Sequence, residues 1–224
     1  MSEHAAAAHP RLQHHFDSLE QQKEASVLGM WTFLVTEIMF FGGLFLVYTV
    51  YRVMYPDSFA VASRELNIFL GLINTIVLIG SSFTMAMGVH SAALGRKRGT
   101  ALWLIVTALL GLVFLGVKVG EYQEKFEHHL VPGTHFAPDH IPVEHHRGAE
   151  AYFSLYFAMT GLHATHMIIG IPMLLWLAAM AYRGRFSRAY STPVEMFGLY
   201  WHFVDIIWIF LFPLLYLIDP SRHH

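Results

Sequence analysis

Tyr200–Tyr216 reads YWHFVDIIWIFLFPLLY, inside an apolar run from Pro193 to Ile218. Roughly 20 helical residues cross a bilayer, so the run is long enough to span one. It nevertheless carries Trp201, His202 and Asp205. Residues three and four apart on a helix are neighbours, which puts these three on one face. A carboxylate at mid-membrane costs about 2.5–3.5 kcal/mol even on insertion scales. Asp205 is therefore expected to face protein, with a His, Trp or water as donor. The helix is expected to dock.

The rest of the chain has the same character. Its 224 residues are 55% hydrophobic and only 13% charged, and the mean hydropathy is +0.45. About a quarter of a soluble domain is charged, so the apolar surplus here must face something other than water. The absence of Cys excludes disulfides, thiolate metal sites and cysteine nucleophiles. A net charge of −2 gives no reason to expect nucleic acid. No basic, short-hydrophobic, small-residue pattern opens the sequence, so no signal peptide is expected.

Residues 1–26 read as a polar N-terminal tail, with a short surface helix ending near Lys23–Glu24. Apolar runs follow over 27–50, 68–89, 101–120, 151–182 and 193–218. Each suits a spanning helix, which predicts an all-α, polytopic membrane protein. The five transmembrane helices form one domain over 27–218, with a C-terminal tail over 219–224. Lys and Arg are densest in two short connections, Arg96–Arg98 and Arg183–Arg188. The positive-inside rule then puts the N-terminus inside and the C-terminus outside.

Glu37 interrupts the first span in WTFLVTEIMFFGG, at about half the ~30 Å hydrocarbon depth. No Lys or Arg shares that depth, so a buried, neutral acid is expected; a hydrogen-bonded, wetted site is the alternative. Glu37 reads as a proton- or lipid-associated site, or as a tie between helices. Gly42 and Gly43 would let a neighbouring backbone come close. His163 and His166 lie three apart on the fourth span, a spacing that can bind metal or hold haem. A haem would need His202 opposite. The plain reading has both imidazoles donating across helix contacts. Pro172 should kink that span.

Lys118, Glu121, Glu124, Lys125 and Glu127 cluster at the end of the third span, and spacings of three and four allow pairing. The plain reading is a solvated helix surface. Asn74, Ser81 and Ser82 give the second span a polar stripe for interhelical hydrogen bonds. The long connection holds His128, His129, His135, His140, His145 and His146. Without Cys or a clear i,i+4 pair, no metal site is expected there.

W-H-F-V-D-x-x-W-x-F-L-F, over Trp201–Phe212, resembles the last membrane helix of subunit III of the haem-copper oxidases. The likeness extends from Trp31 to Tyr216. It includes an acid in the place of Glu37, G-x-H-x-x-H at Gly161–His166 and the Glu-Tyr element Glu121–Tyr122. The resemblance implies a five-helix bacterial form, lacking the first two of seven spans. It implies a non-catalytic subunit that packs on subunit I, beside subunit II, in a proton-translocating cytochrome c oxidase of aerobic electron transport. A wider respiratory supercomplex is a further candidate partner. Such a chain would stabilise subunit I and support proton uptake. Haem and copper would belong to partner subunits, with no cofactor bound here and structural phospholipid in contact. Alternatives are a subunit of a quinol oxidase or nitric-oxide reductase. A membrane cytochrome b using His163 or His166 with His202, and a channel built around Glu37 and Asp205, are the rivals from other classes.

Overall fold

A computed structural model describes residues 12–13, 15–133, 136, 141–188 and 190–218. Six α-helices follow in order: α1 Leu19–Met54, α2 Pro56–Ser63, α3 Ile68–Ala93, α4 Lys97–Glu127, α5 His146–Tyr182 and α6 Thr192–Tyr216. A 3-10 turn, Val143–His145, leads into α5. All except α2 are long and apolar enough to cross a membrane, which gives the five expected spans. The protein is a multi-pass membrane protein.

The helices outrun their apolar cores. Ser18 caps α1 by accepting from the Gln21 N–H at 3.1 Å, while the Gln21 side chain accepts from the Asp17 N–H at 2.7 Å. That reciprocal cap satisfies N–H groups a helix start leaves free. Glu20 to Ala25 are good helix formers with no breaker among them. The helix therefore runs unbroken through Lys23–Glu24, where a separate short helix was expected. Pro56 then starts α2 at a position where a missing N–H costs nothing. Asn67 opens α3, its side-chain oxygen accepting from Phe69 and Leu70.

α6 is the hub. Thirteen of its residues are buried, whereas α1 buries only Leu34, Phe41 and Tyr48, one narrow seam with a seven-residue spacing. Gly42 and Gly43 lie off that seam and face open space, so the close backbone approach expected at them does not occur. The close approach is elsewhere, around Trp201. A Cβ on Gly170 would stand 2.9 Å from the Trp201 ring and one on Gly111 would stand 3.1 Å from it. Two glycines on α5 and α4 thus make room for one indole, whose N–H donates to Ser81 Oγ at 2.9 Å. At the far end of α6, Tyr48 and Tyr152 hydroxyls donate to the carbonyls of Leu214 and Leu215. Those carbonyls have no helical partner of their own.

Candidate functional site

The ionisable residues inside the bundle fall into three groups at different positions along the helices. The first is on α4. Lys118, Glu121 and Lys125 are 3%, 1% and 1% exposed, so the solvated surface expected there is a buried network. Lys118 Nζ donates to Glu121 Oε2 at 3.1 Å, to the Tyr216 oxygen at 2.9 Å and to the Tyr156 oxygen at 3.3 Å. Both tyrosine hydroxyls donate in turn to Glu121 Oε1, at 2.5 and 2.6 Å. Every ammonium proton and both carboxylate oxygens are therefore occupied. The rings of Tyr122, Tyr156, Trp208 and Tyr216 also surround the ammonium, with centroids 5.0–5.7 Å away. Lys125 reaches the Glu65 carbonyl, beyond α2. Burying a charge is tolerated only with this degree of compensation.

The second group is in the middle of the core. His163 is 1% exposed, and neither ring nitrogen has a hydrogen-bond partner among the described residues. Phe114 meets its ring edge-on at 5.2 Å and Trp208 lies tilted at 5.4 Å. The interhelical donation expected of His163 is absent. One aromatic ring packs against it from α4 and another from α6. His202 is engaged elsewhere, by Ser82 Oγ at 2.7 Å from Nδ1. Asp205 is 3% exposed with the Ser82 hydroxyl against its carboxyl, and among the described residues the buried Asn74 amide has no hydrogen-bond partner. Ser81 and Ser82 do bond across to α6, as the polar stripe of α3 led one to expect.

The third group joins α1 to α5. Glu37 Oε2 stands 3.2 Å from His166 Nε2, with 18% and 13% of the side chains exposed. The acid that lacked any Lys or Arg at its depth has an imidazole partner instead. His166 Nδ1 lies 2.9 Å from the Leu162 carbonyl of its own helix, so Nδ1 must carry a proton. Glu37 Oε2 and His166 Nε2 are within ion-pair distance, without an aligned hydrogen bond between them among the described residues. Tyr200 hydroxyl donates to the His166 carbonyl at 2.9 Å, and Phe41 packs 5.7 Å from the imidazole. Beside the pair, a cavity of about 370 Å³ opens between α1, α5 and α6, lined by Met30, Phe33, Ile169, Met173 and Phe197.

In the long connection, His146 Nε2 lies 2.9 Å from the Ile141 carbonyl and His145 Nδ1 lies 3.1 Å from Ser58 Oγ. His135 and His140 lie outside the described residues. Among the described residues no group of three or more His, Asp or Glu side chains converges as metal ligands do. Sequence reasoning missed the network partners Tyr156 and Tyr216, the burial of Lys118, and the Glu37–His166 pairing. Glu37 and His166 were both singled out, but nothing local links them.

A five-span bundle with its ionisable groups turned inward defines a polytopic membrane protein built around buried polar contacts. The family described as cytochrome c oxidase subunit III matches residues 141–219. Cytochrome c oxidase subunit 3 of Thermostichus vulcanus is 33% identical over 203 residues, covering 90% of this chain and 92% of that protein. A probable cytochrome c oxidase subunit 3 of Mycobacterium leprae is 37% identical over 201 residues, covering 90% and 91%. Quinol oxidase subunit 3 of Bacillus subtilis is 32% identical over 203 residues, covering 89% and 91%. The chain belongs to the subunit III family of the haem-copper oxidases.

Proposed function

We propose that this chain is the non-catalytic subunit III of a proton-translocating terminal oxidase, seated against subunit I in a complex that includes subunit II. Haem and copper are held by those partners. The chain stabilises subunit I and supports proton uptake, and the complex sits in a bacterial inner membrane with this N-terminus inside. The observation that carries the reading is the Lys118–Glu121–Tyr156–Tyr216 network. All its donors and acceptors are spent on joining α4, α5 and α6, which suits a rigid support.

Glu37 and His166 are the pair suited to a proton role, because a carboxyl and an imidazole stand 3.2 Å apart next to an apolar cavity. The cavity is of a size and lining that suit part of a phospholipid chain. The dense cations of Arg96–Arg98 and Arg183–Arg188 support the inside placement of the N-terminus. Relatives named for quinol oxidase match as widely as those named for cytochrome c oxidase, so a quinol-oxidising complex is the second reading. Affinity purification of the tagged chain in mild detergent, followed by mass spectrometry, tests the proposal. Co-purification of a haem-copper core is expected, and the identity of its second subunit separates the two donors. A chain that purifies alone with a Soret band overturns it.

A further inference from the structure

α3 and α5 terminate alike, at the same end of the bundle. Gly95 and Gly184 take left-handed φ values of 70° and 72°, which a helix-ending turn of this type requires. The N–H groups of Gly95 and Arg96 donate back to the Ala92 and Ser91 carbonyls, and those of Gly184 and Arg185 to Ala181 and Met180. Each turn then delivers cations: Arg96, Lys97 and Arg98 after the first, Arg185 and Arg188 after the second, all exposed. The two turns interlock. A Cβ on Gly184 would stand 2.6 Å from Lys97 Nζ, and one on Gly95 would stand 3.4 Å from Arg188 Cγ. Arg188 Nε also donates to the Leu94 carbonyl at 3.3 Å. Each glycine thus seats a cation from the opposite turn.

Neither connection contains an acid, and among the described residues none of the five cations has an ion-pair partner. The positive-inside rule accounts for cations on this side of a membrane, but not for two turns that hold them against one another. Like charges gathered this way repel, and a bound anion relieves the repulsion. We infer that the paired turns bind the phosphodiester headgroup of an anionic glycerophospholipid. This site lies apart from the cavity beside Glu37 and does not depend on the oxidase reading.

Depth and surroundings select a lipid over an acidic protein segment. Only Leu94–Arg96 separate α3 from α4, so the first cations stand within one turn of two spans, at headgroup level. Below them α4 and α5, which pack side by side, expose Leu102 at 59%, Trp176 at 60% and Tyr182 at 71%. Trp and Tyr settle at the headgroup level of a bilayer. A diacyl phosphate meets the cations with its headgroup and the apolar side chains with its tails, whereas an acidic peptide leaves those side chains bare.

The purified complex, in nanodiscs of dioleoyl phosphatidylcholine, carries the test. Phosphatidylglycerol with a photoreactive diazirine on its headgroup is the probe, and its adducts are mapped by mass spectrometry. Adducts over residues 94–102 and 182–188 are expected, suppressed by unlabelled phosphatidylglycerol but not by phosphatidylcholine or inorganic phosphate. Lys97→Gln and Arg188→Gln should each weaken that capture by ~5-fold, the effect of one cation near an anionic headgroup. Lys23→Gln, which removes a cation already paired with Glu195, should leave it unchanged. Should the variants fail to assemble, competition on the parent complex still decides. Equal suppression by inorganic phosphate overturns a lipid ligand. Equal loss of capture in Lys23→Gln reduces the site to diffuse charge and overturns it as well. Carbodiimide coupling of Lys97 to another subunit, with no lipid adduct at these turns, puts a protein segment there instead and overturns the lipid site.

Discussion

Lys118 Nζ and Glu121 Oε2 meet at 3.1 Å, one turn apart on α4, in a place where almost no water reaches either side chain. Neither charge would be tolerated there alone. Removing one partner of a buried pair typically costs about 3–5 kcal/mol, because the other is left uncompensated. Lys118→Met should therefore lower the thermal stability of the purified complex by an amount in that range. Lys118→Met combined with Glu121→Leu should cost less than the sum of the two single changes. Denaturation in detergent, followed by retention of the chain in the complex, measures both. Strict additivity would show that the pair does not act as a unit.

Glu37 and His166 should couple in the same sense but more weakly, since neither is enclosed as Lys118 and Glu121 are and no further side chain bonds the pair's charged atoms. A double-mutant cycle with Glu37→Leu and His166→Leu should give an interaction of about 0.5–3 kcal/mol in assembly stability. Glu37→Gln keeps a donor for Nε2 and should retain most of it. A cycle that closes at zero would make the 3.2 Å contact incidental.

Trp201 depends on two absent side chains. Gly170→Ala places a methyl carbon 2.9 Å from the indole, closer than real contacts allow. Overpacking of this kind costs typically about 1–3 kcal/mol. Loss of the complex on mild heating should be faster for Gly170→Ala than for Gly120→Ala, where the added carbon meets open space. Equal behaviour of the two would remove Trp201 from the core of the fold.

Orientation is testable because the chain has no native Cys. Val143→Cys and Arg185→Cys should label from opposite sides of sealed cells or vesicles. An impermeant thiol reagent should reach Val143→Cys only from outside. Labelling of that site only from the cytoplasm would invert the topology.

The five spans are legible in the sequence because each apolar run exceeds the thickness of a bilayer. Which face of a span turns inward is harder to read, since these helices are apolar nearly all round. α6 was the exception. Trp201, His202 and Asp205 marked its inner side, although His202 turns to Ser82 while Trp201 turns to Ser81. The i,i+3 spacing of Lys118 and Glu121 was visible, yet burial was not. The tyrosines that enclose them come from α5 and α6, and the segment that receives Lys125 lies beyond α2, a helix the apolar pattern did not reveal. The Glu37–His166 pair was out of reach for a related reason. Only the packing of α1 on α5 brings those two positions together.

The role of the chain as a support is tested most directly by taking it away. The measurement is turnover of the oxidase over time, with haem and copper spectra, in complexes purified with and without this subunit. Unchanged spectra are predicted, because no residue here would be a ligand. The initial rate should persist while the number of turnovers before inactivation falls and proton uptake slows. A missing haem band would contradict a non-catalytic role, and an unchanged lifetime with unchanged proton uptake would contradict the supporting one.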